Sequence, residues 1–138
     1  MDTKKFLLAS LAGAAVMFLL SGLWHAVLLK DFYAAQFGAA VRAEPLVSFS
    51  FLSYLSLAIL MAIVFPFGYK GGAVVKEGLR FGILMGLLCR LPFSLVFYAN
   101  STSFTMSHVL FDGAWHIVEQ GIGGIVMALI YVRKTRPA

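Results

Sequence analysis

The sequence is short of charge. Only 12% of its 138 residues are Asp, Glu, Lys or Arg, where a soluble domain carries about a quarter. With 61% hydrophobic residues and a mean hydropathy of +0.91, a water-solvated globular domain is excluded, and lipid is the expected solvent. Cysteine is almost absent: Cys89 stands alone, so no internal disulfide can form and the redox compartment cannot be read from it. It falls in an apolar run and reads as a small packing residue. Long polar stretches and low-complexity segments are also missing, which leaves no room for a separate soluble domain.

What the chain does have is four apolar stretches, at about 6–29, 46–67, 79–98 and 109–132. Each is close to the ~20 residues that an α-helix needs to cross a bilayer core of ~30 Å. The first follows Lys4 and Lys5, but its apolar run exceeds a signal peptide's core and ends in no small-residue cleavage pattern, so it reads as a retained helix. The expected fold is all-α, a single integral membrane domain over residues 1–138 built as a four-transmembrane-helix bundle.

The net charge of +5 invites a nucleic-acid reading, but the placement of the charges argues for topology instead. In a four-crossing layout Lys4, Lys5, Lys70, Lys76, Arg80, Arg133, Lys134 and Arg136 fall on one side, and Lys30 and Arg42 on the other. That bias places both termini in the cytoplasm of a bacterial inner membrane, with the lipid bilayer and not nucleic acid as the partner.

Between the first two spans, Phe32, Tyr33, Gln36, Phe37, Ala40 and Val41 recur at helical spacing. This predicts a short amphipathic helix lying in the outer interface, capped by Asp31, anchored in lipid by Phe32, Tyr33 and Phe37, and stopped by Pro45. Gly68-Tyr69-Lys70-Gly71-Gly72 and Asn100-Ser101-Thr102-Ser103 read as tight turns.

The fourth apolar stretch contains DGAWHIVEQG, Asp112 to Gly121, and its polar residues form a pattern. At ~100° per residue, with Asp112 at zero, His108 falls near −40°, His116 near +40° and Glu119 near −20°. Four ionisable side chains in an arc of ~80° must face protein or water, because lipid would penalise each heavily. Arg90 on the third span lies at the same depth as His116, about 12 Å below the outer surface, and His25 is somewhat shallower. Arg90 needs a carboxylate there, and Glu119 or Asp112 can supply it. Gly78, Gly82 and Gly86 lead up to Arg90 every four residues, a small-residue stripe that allows a close helix approach, and Gly121, Gly124 and Ala128 make a second such patch. Pro92 follows, removing one amide near the polar residues and freeing the carbonyl of Leu88.

The candidate cluster is therefore Trp24, His25, Arg90, Asp112, Trp115, His116 and Glu119. The plainest reading is polar glue between helices. The leading functional reading is a non-enzymatic protein, either an accessory subunit or a binder of a small anionic or amphiphilic ligand, with Trp24, Trp115, Phe93 and Tyr98 as walls. One alternative is a haem or metal protein using His25, His108, His116 and Glu119, with Asp112, in the pattern H-x3-D-x3-H-x2-E. Another is a small oligomeric transporter working through an Arg90–Glu119 charge pair. No nucleophile motif stands beside these groups, so an enzyme is not expected. So small a chain has little interior of its own, which favours a homo-oligomer or a place in a larger membrane complex.

Trp24 followed by Lys30-Asp31-Phe32-Tyr33, together with Asp112-Gly113-Ala114-Trp115, resembles small four-helix bacterial inner-membrane proteins of uncharacterised function. Some of these carry an aspartate just before the first tryptophan, where this sequence reads Ser21-Gly22-Leu23-Trp24-His25. The resemblance implies fold and location, and offers no activity.

Overall fold

The computed structural model describes residues 2–38, 42 and 44–132. Among these the chain is entirely helical. Helix α1 spans Thr3–Gly22 and begins at Asp2, whose carboxylate accepts from the amides of Lys4 and Lys5 at 3.0 and 3.4 Å; such an N-cap satisfies donors that the first turn would otherwise leave open. The helix then widens into a π-helical segment, Leu23–Leu28, closed by the Leu29 amide on the Trp24 carbonyl at 2.8 Å. After it come α2 (Lys30–Phe37), α3 (Val47–Gly68), α4 (Val74–Asn100) and α5 (Met106–Val132).

Four of these elements are long and apolar enough to cross a membrane: Thr3–Leu28, Val47–Gly68, Val74–Asn100 and Met106–Val132. The expected spans are all present; α4 begins five residues before its expected start and ends two after its expected end, and α5 begins three residues early. At 27 residues each, these two run to about 40 Å. Pro92 lies inside α4, which continues helical through it.

The packing is uneven. Helix α4 lies along α5, α5 along α1, and α1 along α3, while α1 and α4 do not meet and α3 touches α4 and α5 only narrowly. The α4–α5 seam is made by glycine. A methyl group on Gly78 would stand 2.7 Å from the Gly124 carbonyl oxygen, one on Gly86 would stand 2.8 Å from that of His116, and one on Gly82 would overlap the Gln120 carbonyl. Only a residue without Cβ lets the two backbones come this close. Both small-residue patches read from the sequence therefore face each other inside one chain. The α1–α5 seam uses methionine instead: Met17 fills the space over Gly123, and Met127 the space over Gly13, the gap-filling use of a flexible side chain.

At the end of the molecule holding the 69–73 turn, Phe65 packs edge-on against Phe81 and Tyr131, where α3, α4 and α5 converge. There the Arg80 guanidinium donates to the Gly68 carbonyl at 3.0 Å and to Glu77 at 2.7 Å, locking the turn. Toward the other end α3 and α4 lose this company. Residues 46–50, and residues 91–100 apart from buried Ser94, are all exposed.

Helix α2 departs from its expected form. Asp31 stands in its first turn, but no side chain caps its start. The helix ends at Gly38, well before Pro45, because Gly38 takes φ +48°, a left-handed conformation open to glycine at no steric cost. Ala40 and Val41, assigned to this helix from spacing, lie outside the described residues, as do Arg133, Lys134 and Arg136 of the basic count.

Candidate functional site

The polar residues meet at the end of the molecule covered by α2, and Asp112 is their hub. Its Oδ2 accepts from Nε of Arg90 on α4. Its Oδ1 accepts from the hydroxyl of Tyr33 on α2 at 3.1 Å and lies 3.2 Å from Nε2 of His25 in the π-helical segment. His116, one turn further along α5, places Nε2 3.7 Å from Oδ2. One carboxylate thus ties together the end of the first span, α2, α4 and α5. Breaking so buried an ion pair from one side is expensive, because the remaining charge has no water to turn to.

A second centre lies deeper. Glu119 is fully buried; its Oε2 accepts from the hydroxyl of Tyr54 on α3 at 3.4 Å, and its Oε1 stands 3.4 Å from Nδ1 of His116. The His116 imidazole thus lies between two carboxylates, but in this geometry it hydrogen-bonds neither, and its Nδ1 and Glu119 Oε1 have no hydrogen-bond partner among the described residues. His25, by contrast, meets oxygens on both ring nitrogens. Its Nδ1 sits 3.0 Å from the Ser21 carbonyl oxygen and 3.1 Å from the Ser21 hydroxyl, while Nε2 faces Asp112.

Aromatic rings close the site. Trp24 and Trp115 stack face to face, 4.3 Å between centroids and 2° from parallel, and Trp24 Nε1 donates to the Tyr33 oxygen at 3.2 Å. The Arg90 guanidinium lies 5.2 Å over the Phe93 ring, within cation–π range. Tyr98, proposed as a wall, is exposed.

Two expected roles change. Tyr33 and Phe37 are not lipid anchors: Tyr33 turns inward to Asp112, and Phe37 packs edge-on against His108 at 5.0 Å. Burial, and then the Asp112 charge, push the Tyr33 hydroxyl above its ordinary range, so it remains a donor. Helix α2 is held down further by Gln36, which donates to the Ser103 carbonyl at 2.7 Å and accepts from Thr105 at 3.2 Å. Arg90 chooses Asp112, and Glu119 is taken up by Tyr54 and His116, so the Arg90–Glu119 pair is replaced by two separate pairings.

His108 shares the arc but not the network. It is 1% exposed, its ring nitrogens have no hydrogen-bond partner among the described residues, and Tyr33, Phe37 and Phe104 surround it. The metal alternative meets its difficulty here: among the described residues no three His, Cys, Asp or Glu side chains converge as a metal site would require. His25, the other histidine of the haem alternative besides His116, has both ring nitrogens against neighbouring oxygens of Ser21 and Asp112.

Tyr54, Tyr33 and Ser21 were missed by sequence reasoning. Tyr54 had a signal, being a phenol in the middle of an apolar span, where a hydroxyl needs a partner. Tyr33 had none, because an inward tyrosine and an interfacial anchor look alike in sequence.

A family of predicted membrane proteins, DUF2177, has a model that matches residues 6–129. The chain belongs to the DUF2177 family. No curated protein and no solved structure matches it. In this DUF2177 member the match runs through all four spans and takes in every residue of the cluster. DUF2177 is a family of uncharacterised function, so the chemistry has to be argued from the cluster itself.

That chemistry is asymmetric. Side-chain exposure is 31% for His25, 23% for Arg90 and 14% for His116, against 1% for Asp112 and 0% for Glu119. The acids are sealed behind the bases. A guanidinium has five N–H donors, and Arg90 gives one, through Nε, to Asp112; its terminal nitrogens have no hydrogen-bond partner among the described residues. A groove of about 240 Å³ between α4 and α5 is lined by Gly86, Leu91, Gly113 and other apolar residues and contains none of the cluster.

Proposed function

We propose that this protein is a small, non-enzymatic, multi-pass protein of the bacterial inner membrane that binds the anionic headgroup of an amphiphile at Arg90, in the outer leaflet. The observation that carries this reading is the Arg90 guanidinium: a partly exposed side chain anchored by one nitrogen to a buried carboxylate, with no hydrogen-bond partner for its terminal nitrogens among the described residues. A fixed planar fork of that kind suits phosphate or carboxylate oxygens. Exposed apolar residues beside it, Leu91, Phe93 and Leu95, suit the chains of an amphiphile. The bias of basic residues supports an orientation with both termini cytoplasmic and α2 on the outer face. A homo-oligomer, or a place as an accessory subunit of a larger complex, fits the small interior and belongs to the same proposal.

Binding of short-chain phosphatidylglycerol to the full chain in mild detergent, measured by calorimetry, tests the reading. Short-chain phosphatidylcholine and inorganic phosphate are the comparison ligands. Phosphatidylglycerol is expected to bind, and Arg90→Lys, which keeps the charge and loses the fork, to weaken it roughly tenfold or more. Inorganic phosphate binding as well as the lipid would assign the site to a soluble anion. Equal affinity for phosphatidylcholine, or no effect of Arg90→Lys in a variant whose helicity is intact, would sink the proposal.

A further inference from the structure

We propose that Glu119 holds a small monovalent cation, together with the Tyr54 hydroxyl and Nδ1 of His116, at the junction of α3 and α5.

Charge is unevenly settled in the cluster. Arg90 is committed to Asp112, and the basic side chain beside Glu119 is His116. Glu119 is 0% exposed, and a carboxylate taken out of water without a positive partner and full hydrogen bonding is costly. Its Oε1 has no hydrogen-bond partner among the described residues. Its Oε2 accepts from Tyr54 at 3.4 Å, where an O–H donor on a carboxylate ordinarily stands at about 2.5–2.7 Å. An acid so deeply buried and so poorly satisfied calls for a further partner that carries positive charge.

The spacing suits a cation. Nδ1 of His116 stands 3.4 Å from Oε1, the same separation that Tyr54 keeps from Oε2. Two ligand atoms at right angles about a hard cation, each at ~2.4 Å, are ~3.4 Å apart. In the tautomer with its proton on Nε2, toward Asp112 Oδ2 at 3.7 Å, His116 turns a lone pair toward Glu119. The Tyr54 oxygen has lone pairs to offer while its proton goes to the carboxylate. Neither neighbour adds charge.

One carboxylate sets the charge of the ion. A divalent cation such as calcium collects about six to eight oxygens, carboxylates among them, and among the described residues no three His, Cys, Asp or Glu side chains converge. A single positive charge neutralises Glu119 and leaves the Arg90–Asp112 pair undisturbed. The ion also joins α3 to α5, which otherwise touch only narrowly, so its binding is expected to appear as stability.

Thermal unfolding of the full chain in mild detergent tests the site. Sodium chloride is exchanged stepwise for N-methylglucamine chloride at fixed pH and ionic strength, with lithium, potassium, magnesium and calcium chlorides run alongside. The midpoint is expected to rise with sodium and level off, as a saturable site requires. Glu119→Gln, which keeps the shape and removes the charge, should abolish the rise, and Tyr54→Phe should weaken the apparent sodium affinity roughly tenfold. The titration of the unaltered chain needs no variant. Lithium or potassium stabilising in place of sodium would keep the monovalent site and set its size. The same midpoint in sodium, lithium, potassium and N-methylglucamine would overturn the proposal. A sodium response that persists in Glu119→Gln, or stabilisation by magnesium or calcium alone, would overturn it as well.

Discussion

Asp112 carries more partners than any other side chain in the cluster, and its neighbours explain why a carboxylate can stand in an apolar span. Arg90 balances its charge, Tyr33 donates to it, and His25 and His116 flank it. Asp112→Asn removes the charge that Arg90 needs, and a loss of about 3–5 kcal/mol is expected for a one-sided break in a buried pair. Thermal unfolding in detergent would show it as a lowered midpoint. Replacing Arg90 and Asp112 together by leucine should recover much of that loss, because no lone charge is left behind. A double variant no more stable than Asp112→Asn would mean that the ion pair is not the source of the effect. The sequence made this residue visible through helical angle alone, but its choice of partner was not visible. Arg90 at equal depth could have reached Asp112 or Glu119, and Tyr54, from a helix with no other marked polar feature, settled where Glu119 went.

Helices α4 and α5 were the most legible elements, because a glycine every fourth residue is a statement about distance between backbones. Gly82 is the tightest point of that seam, where any Cβ would meet the Gln120 carbonyl. Gly82→Leu must therefore separate the helices, and a destabilisation well above the usual 1–3 kcal/mol of overpacking is expected. The check is whether the variant still runs as a monodisperse species of native helicity. Retention of a wild-type unfolding midpoint would contradict the packing described. Gly113→Ala, where a methyl group meets nothing within 4 Å, is the matched control and should be silent. Helix α2 was less legible. Its existence followed from the spacing of Phe32, Tyr33 and Phe37, but the side that faces lipid and the side that faces protein depend on how the chain leaves the first span. That exit is the π-helical segment Leu23–Leu28, and no proline or glycine within it gave it away. Segments of this kind are frequent at functional sites, and this one holds both Trp24 and His25.

Four candidate spans, if all cross, bring residues 2 and 132 to one side of the membrane, and the bias of basic residues supports the proposal that this is the cytoplasmic side. Inside-out and right-side-out vesicles, treated with a protease that cleaves after basic residues, would test that orientation. Loss of a C-terminal tag is expected only in the inside-out preparation. Cleavage of the tag in right-side-out vesicles would reverse the topology and move the Arg90 cluster to the cytoplasmic leaflet. The number of spans was readable from hydropathy alone, since lipid leaves a chain few alternatives to long apolar helices. The unequal company of the helices was not readable, because a span that faces lipid and a span that faces protein are both greasy.

The two tryptophans of the chain are the stacked pair, one at the end of the first span and one on α5. Their near-parallel rings couple electronically, so the near-ultraviolet absorption and circular dichroism of the protein report a single joint, the one between the end of the first span and α5. Opening that joint separates the rings and alters the spectrum with no label attached. The protein carries a built-in optical gauge at its candidate site, and the rest of the molecule contributes no indole signal to obscure it.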